Sequence, residues 1–393
     1  MSKLNVEQLD SGGKTVLVRV DFNVPLHNGQ VTDDTRITAA LPTIRHLIQT
    51  GAKVVLVSHL GRPKGKRMEE FSLAPVAQRF SELLGQPVDF CSEVVGEVAK
   101  KAVGELREGG VLLLENVRFH PEEEKNDPEF SKALAELADL YVSDAFGTVH
   151  RAHASTAGVA ELFPQAACGL LIAKELEFLG QTLIKPKRPF VAILGGAKVG
   201  DKIGVINALL DRADTLLIGG AMAYTFLKAR GHQIGNSLLD EPHLDLAARL
   251  LEEAPKKGRA LVLPIDHRVA GEISDAAKAE ECGIEIPTGK IGLDIGAATQ
   301  VGYANTIKRA KLVVWNGPMG MFELPAFQEG TFAVARAMAE TKAITIVGGG
   351  DSVAAINKAG VADGISHVST GGGASLEFLE GKALPGIEVL SEA

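Results

Sequence analysis

The sequence predicts an α/β protein of two domains, each a parallel β-sheet covered by helices on both faces. Three observations carry this expectation. Short β-branched runs alternate with longer helical patterns along the whole chain, as repeated βαβ units do. The runs Val54–Val57, Val111–Leu114 and Leu312–Trp315 are almost continuously apolar, as strands covered on both faces are. Finally, 393 residues exceed what one hydrophobic core usually serves.

Taken in order, the first strands end in charge. Val16–Arg19 runs into Asp21-Phe22-Asn23, Val54–Val57 into His59-Leu60-Gly61-Arg62, and Val111–Leu114 into Arg118-Phe119-His120. His150-Arg151-Ala152-His153 follows Tyr141-Val142-Ser143-Asp144. Between these runs, helical spacing covers Thr38–Gln49, Leu73–Leu84 and Pro128–Ala138. From about Gly169, Leu170, Leu171, Ala173, Leu176, Leu179 and Leu183 form a helix-period stripe. Pro186 and Pro189 then stop it, because proline cannot continue a helix. Residues 1–168 therefore form a first domain, 169–185 a connecting helix and hinge, and the segment from 186 a second domain. An ordinary surface helix followed by a loop is the alternative.

The later strands end in glycine. Val191–Leu194 meets Gly195-Gly196-Ala197-Lys198, Thr215–Ile218 meets Gly219-Gly220, and Ile344–Val347 meets Gly348-Gly349-Gly350-Asp351. Gly371-Gly372-Gly373-Ala374 is a further glycine end, and Thr331–Glu340 reads as a helix. No fixed repeat period links these segments, so they indicate repeated topology and not a solenoid.

Composition narrows the function. Hydrophobic residues make up 46% and charged residues 23%, as in ordinary globular proteins. A net charge of −8 argues against a nucleic-acid binder or a membrane-surface protein. Cys91, Cys168 and Cys282 lie far apart, without metal-ligand spacing, and suggest a reducing compartment. With no apolar leader and no run of membrane-spanning length, the expectation is cytoplasmic.

Open α/β sheets bind ligands beyond the carboxyl ends of their strands. Basic ends favour a compact anion held by guanidinium and imidazole donors. Glycine ends let backbone N–H groups approach a phosphate. One half thus suits an anionic metabolite and the other a nucleotide. Asp21 and Asn23 share one side of an extended chain and suit ligand hydroxyls, or else form an Asx-type turn. Arg36 follows Thr32 or Asp33 as N-cap and opposes the helix dipole, a conflict that a bound anion or a pair with Asp33 or Asp34 resolves. His59 and Arg62 can converge on one phosphate, or belong to a solvated turn running into Lys64–Arg67.

On the nucleotide side, Lys198 and Lys202 are four apart, which predicts one helix face beside glycine donors. Exposed lysines at an ordinary helix start are the alternative. Asp201 stands where a Walker A loop needs lysine, so that motif is absent. Asp351 opens a helix and suits Mg²⁺ completed by phosphate oxygens, or caps that helix together with Ser352. Glu323, after the turn Trp315-Asn316-Gly317-Pro318, suits ribose hydroxyls. Asp144-Ala145-Phe146-Gly147 lacks the companions of a protein-kinase signature, and the histidines lack zinc spacing. A nicotinamide dehydrogenase would need G-x-G-x-x-G, which the glycine runs do not fit.

Together these segments resemble the phosphoglycerate kinase family. Thr15-Val16-Leu17-Val18-Arg19-Val20-Asp21-Phe22-Asn23-Val24-Pro25, Ser58-His59-Leu60-Gly61-Arg62-Pro63, Glu115-Asn116-Val117-Arg118-Phe119, Gly195-Gly196-Ala197-Lys198-Val199, Trp315-Asn316-Gly317-Pro318 and Gly348-Gly349-Gly350-Asp351-Ser352 carry the likeness, in the family's order. The resemblance implies two doubly wound, Rossmann-like domains, 1–168 and 186–374, joined by a long helix beside an interdomain cleft. It also implies a tail, 375–393, returning to the first domain. The implied reaction is reversible phosphoryl transfer between 1,3-bisphosphoglycerate and MgADP, by a monomer. The resemblance assigns the glycerate substrate to Asp21, Phe22, Asn23, Arg36, His59, Leu60, Gly61, Arg62, Arg118 and Arg151. It assigns nucleotide to Lys202, Glu323, Gly349, Gly350, Asp351 and Ser352, with Mg²⁺ at Asp351, and catalysis to Arg36, Lys198 and Gly372. Gly200 stands where the family often has serine, and Ala297 where a proline commonly follows Gly296. A nucleotide sensor that had lost catalysis would be expected to lack Lys198, Arg36 or Asp351, and all three are present.

Overall fold

The computed structural model describes residues 3–393, and the side chains of all of these except 181–183. Two compact units emerge: residues up to Glu177 together with Ala383–Ala393, and Phe178–Lys382. The first contains β1 (Thr15–Val20), β2 (Lys53–Val57), β3 (Asp89–Cys91), β4 (Val111–Leu114), β5 (Leu140–Asp144) and β6 (Ala166–Cys168). All pair in parallel, in the order β3-β4-β2-β1-β5-β6. Parallel pairing turns the carboxyl ends of β4, β2, β1 and β5 to one edge, side by side.

Burial on both faces explains the apolar strands. Val16, Val18 and Val20 share one face of β1 and pack with Ile37 and Ile44 of the helix Thr35–Gln49 and with Phe80. That helix buries Ile37, Ala40, Leu41, Ile44 and Leu47, a stripe at helical spacing. Phe22, just past β1, meets Phe80 with ring centroids 5.2 Å apart.

In the second unit β7 (Phe190–Leu194), β8 (Thr215–Ile218), β9 (Ala260–Val262), β10 (Leu312–Asn316), β11 (Ile344–Gly348) and β12 (His367–Val368) pair in the order β9-β8-β7-β10-β11-β12. Numbered within the unit this is 3-2-1-4-5-6, the dinucleotide-type doubly wound order, which reverses between β7 and β10. Val191, Ile193, Val313 and Trp315 anchor its core against Phe332 and Met338. A small antiparallel sheet of His267–Ala270, Glu280–Cys282 and Ile291–Ile295 was not foreseen. Its middle member in the chain, Glu-Glu-Cys, is too short and polar to show a strand period.

The connecting helix spans Leu170–Ile184 and buries Ile172 and Leu179; the Leu183 side chain lies outside the described residues. The division between units falls within this helix, after Glu177, and not at Pro186. The tail also differs from expectation. Residues 375–382 stay with the second unit, because the helix Gly373–Leu379 buries Ala374, Ser375 and Leu379 there. The return begins at Ala383, where Gly386 N donates to Val149 O at 2.9 Å. Beyond it, Ser391 N donates to Ala166 O at 2.9 Å, Leu4 N to Ser391 O at 2.8 Å and Cys168 N to Leu4 O at 2.8 Å. Both ends of the chain thus join the β6 edge.

Candidate active site

In the first unit the loop after β1 is locked to the loop after β2. Phe22 N donates to Ser58 Oγ at 2.9 Å, and Gly61 N donates to Asn23 Oδ1 at 2.9 Å. Asn116, beyond β4, ties in the third loop: its Oδ1 accepts Leu60 N at 3.2 Å and its Nδ2 donates to Leu60 O at 2.7 Å. Three adjacent strand ends therefore form one hydrogen-bonded floor. Phe22 and Leu60 are part of that floor, with buried side chains and amides already engaged.

Charge gathers on this floor. Arg36 Nη1 lies 3.1 Å from Asp21 Oδ2 and donates to Asn23 O at 3.0 Å. Neither neighbouring acid holds it: Asp34 pairs with Arg79 at 2.6 Å, and Asp33 accepts Thr35 N at 2.9 Å. Asp34, not Thr32 or Asp33, occupies the N-cap, without a side-chain bond. Asp21 also accepts Asn23 N at 3.3 Å, so the Asx-type turn forms with its other oxygen still facing Arg36. Arg118 is buried and donates to Gly61 O at 2.8 Å. Arg62 and Arg151 are exposed; Arg62 has no hydrogen-bond partner among the described residues, and Arg151 Nε lies 3.1 Å from His150 Nε2. His120 packs its ring against Phe130, 4.9 Å between centroids.

His59 reports how closely these cations assemble. Burial, then the charges of Arg19, Arg118, Arg36 and Arg151, hold its pKa well below the usual imidazole value. Burial and the same neighbours, Arg118, Arg19 and Arg151, bring His153 down to about 4. Four guanidiniums acting on one neutral imidazole make this floor cationic, with Asp21 and Glu124 paired to Arg36 and Arg118. Sequence reasoning gave no role to Arg19 or Asn116. Arg19 Nη2 lies 3.2 Å from His59 Nδ1, and its Nε donates to Ser155 Oγ at 2.7 Å, which donates to Glu123 Oε1 at 2.6 Å. The donating guanidinium makes Nδ1 the acceptor, which leaves the His59 proton on Nε2. An arginine inside an apolar strand was the signal available.

In the second unit the ends of β7, β10 and β11 converge on Asn316. Its Nδ2 donates to Gly348 O at 2.8 Å, and Lys202 Nζ donates to its backbone O at 3.1 Å and to its Oδ1. Gly195 N donates to Asn316 O at 3.0 Å, and a Cβ added at Gly195 would overlap Pro318 O. Burial lowers the Lys202 pKa to about 8. Lys198 and Lys202 do not share a helix face: a 3₁₀ turn, Gly200–Lys202, precedes the helix Ile203–Arg212 and turns the chain between them. Lys198 is exposed and Lys202 is tucked against Asn316.

Gly349 caps the helix Gly350–Lys358 with φ +92°, a conformation that suits glycine. Neither Asp351 nor Ser352 caps it. Ser352 is buried and accepts Gly317 N at 2.6 Å, fixing the turn after β10. The first-turn amides have no intrahelical partner, which makes them anion donors. Asp351 is exposed, accepts no hydrogen bond among the described residues, and lies close enough to support the charge on Lys202. No group of three or more metal-binding side chains exists among the described residues. A single free carboxylate beside unpartnered helix-start amides fits a cation carried by a nucleotide. Glu323 is exposed, its backbone O accepting Lys358 Nζ at 3.1 Å. Gly372 is the N-cap of Gly373–Leu379. Ala297 opens the helix Ala297–Arg309, whose next amides, Ala298 N and Thr299 N, both donate to Asp266 at 2.8 Å.

Comparison with known proteins gives this architecture a family. The family model described as phosphoglycerate kinase matches residues 6–382. The chain is 57% identical to the phosphoglycerate kinase of Clostridium botulinum (strain Eklund 17B / Type B), over 100% of this chain and 99% of that protein. Identity and coverage are the same for the phosphoglycerate kinase of Clostridium perfringens strain 13. The solved phosphoglycerate kinase of Coxiella burnetii superposes with a TM-score of 0.90 at 45% identity, covering 98% of both chains. That of Pyrococcus horikoshii OT3 gives 0.86 at 35% identity, again over 98% of both. A doubly wound unit with a cationic floor, a second with glycine-lined strand ends, and likeness along nearly the whole length lead to one conclusion: the chain belongs to the phosphoglycerate kinase family.

Proposed function

We propose that the chain catalyses reversible phosphoryl transfer between 1,3-bisphosphoglycerate and MgADP, giving 3-phosphoglycerate and MgATP. The observation that carries this is the assembly of Arg19, Arg36, Arg118 and Arg151 around a neutral His59, in a member of this family. Such a field suits a small polyanion and leaves Arg36 able to exchange its Asp21 contact for a phosphoryl oxygen.

In the ATP-consuming direction the nucleophile is the substrate carboxylate, already ionised at neutral pH because its pKa is roughly 4. No general base is required. Asp21 and Asn23 orient the glycerate hydroxyls; Arg62, Arg118, Arg151 and His59 hold its phosphate. The first-turn amides of Gly350–Ser352 and Lys202 hold nucleotide phosphates, and Glu323 takes the ribose. Asp351 would hold the Mg²⁺ that the nucleotide brings, and the ion would neutralise phosphate charge. Lys198, Arg36 and the Gly372 amide stabilise the migrating phosphoryl group, so catalysis is positioning and charge neutralisation. Bringing both substrates into line supplies about 7–11 kcal/mol. That alignment needs closure about the connecting helix.

A monomer acting in the cytoplasm suits this reaction, and no helix among the described residues is long and apolar enough to cross a membrane. The direct test is a coupled assay of 3-phosphoglycerate-dependent ATP consumption with and without Mg²⁺. Turnover that depends on both is expected; no turnover with Mg²⁺ present overturns the proposal.

A further inference from the structure

Gly200 and His243 occupy one space. A Cβ added at Gly200 would lie 2.7 Å from His243 Nδ1 and 2.9 Å from Nε2, so a side chain at 200 and the ring at its observed position exclude each other. The ring sits there because its Nδ1 meets Asp240 Oδ1 at 2.8 Å. The other oxygen, Oδ2, accepts Gly200 N at 2.9 Å. Asp240 is 7% exposed, and its own amide is fixed by Thr225 Oγ1 at 3.0 Å. Burial alone would raise the Asp240 pKa, but the His243 and Gly200 hydrogen bonds and the Lys198 charge hold it below the usual carboxylate range.

Because Asp240 Oδ2 holds Gly200 N, two residues beyond Lys198, the lysine segment lies beside a carboxylate whose two oxygens are already engaged. Lys198 is exposed and makes no ion pair among the described residues. Were Oδ1 open, the lysine would have an anion to collapse onto, and a lysine held by a carboxylate is poorly placed to meet a phosphoryl group.

We propose that His243 is a positioning residue that occupies Asp240 and so keeps Lys198 free for the migrating phosphoryl group, with Gly200 as the residue that makes room for it. This rests on the reading of Lys198 given above. Because Lys198 is free only while Asp240 is held, removing the ring and removing the carboxylate have opposite effects.

Two measurements decide it: steady-state turnover with ATP and 3-phosphoglycerate, and the rate at which an amine-directed acylating reagent labels Lys198, followed by peptide mass spectrometry. His243→Ala lowers kcat about tenfold while the KM for ATP stays within about twofold. It also slows Lys198 labelling, because pairing raises the pKa of an ammonium. Gly200→Ser, which evicts the ring, behaves alike. Adding Asp240→Asn to His243→Ala restores both the labelling rate and most of the turnover, a coupling of opposite sign to two independent losses. Unchanged Lys198 labelling in His243→Ala, or a deeper loss on adding Asp240→Asn, overturns the proposal. Absence of turnover in the unsubstituted chain overturns the functional reading instead, and the labelling rates still decide the role of His243.

Discussion

Arg19 and His59 face each other inside the first unit, with Nη2 and Nδ1 3.2 Å apart and both side chains almost wholly buried. Behind them, Ser155 links the guanidinium to Glu123, which is fully buried. Arg19→Met would remove the cation that reaches that carboxylate through Ser155. The expected loss is about 3–5 kcal/mol, read as a lower midpoint in denaturant. Glu123→Gln in the same background should recover part of it. A midpoint equal to the parent's would show that the buried arginine carries no such load.

Asp144, at the end of β5, accepts Leu171 N at 3.0 Å and Ile172 N at 3.2 Å, holding the first turn of the connecting helix. Its Oδ2 is buried and makes no hydrogen bond of standard geometry among the described residues, and burial, outweighing the Thr43 and backbone hydrogen bonds, raises the pKa to about 7 from an ordinary 3.8. Between those values the folded chain holds a proton that the unfolded chain has released. Stability from this group is therefore complete below about 3.8 and is lost as pH rises to about 7. Asp144→Asn removes that dependence. The stability difference between parent and variant should change by at most about 1.4 kcal/mol per pH unit across this window and level off above it. A difference independent of pH would contradict the assignment.

Arg36→Ala removes the cation that faces Asp21. Turnover should fall at least about a hundredfold, while calorimetry gives an unchanged affinity for MgADP. Equal damage to both quantities would place Arg36 elsewhere than at the glycerate floor.

Lys202, with its pKa lowered to about 8, carries its charge below that pH and loses it above. Affinity for ADP should accordingly weaken as pH rises from 7 to 9. Lys202→Met should bind more weakly at pH 7 and show a flatter profile. An identical profile in parent and variant would remove Lys202 from the phosphate site.

Gly195→Ala forces the turn at Gly317–Pro318 to move, since the new methyl overlaps Pro318 O. Nucleotide affinity should drop by about tenfold or more, with binding of 3-phosphoglycerate alone preserved. Retained nucleotide affinity would mean that this turn can shift without consequence.

Much of this was legible in the chain itself. Val111–Leu114 is β4 to the residue, and the connecting helix begins one position after Gly169, because apolar runs and helix-period stripes are local signals. The charged ends of β1, β2, β4 and β5 gather because parallel strands all point their carboxyl ends one way. What stayed hidden was non-local. Strand order is set by which crossovers pack where, and no local pattern records it. Arg36 had two acids beside it in sequence, yet Asp34 was taken by Arg79 and the partner came from the end of β1. Lys198 and Lys202 parted because Gly200–Lys202 winds as a tighter turn than the four-residue spacing assumes. Ser352 Oγ accepts Gly317 N from a turn far away in the chain, a partner that no local spacing records.

The closing of the β6 edge by Leu4 and Ser391 fixes a sequence of events in time. A ribosome completes Phe178–Lys382 as one unbroken stretch, so the second unit has all of its residues while the first still lacks its last. The seam at Ala166 waits for Ser391. Domains ordinarily fold in the order they are made; here the one begun first is the one finished last.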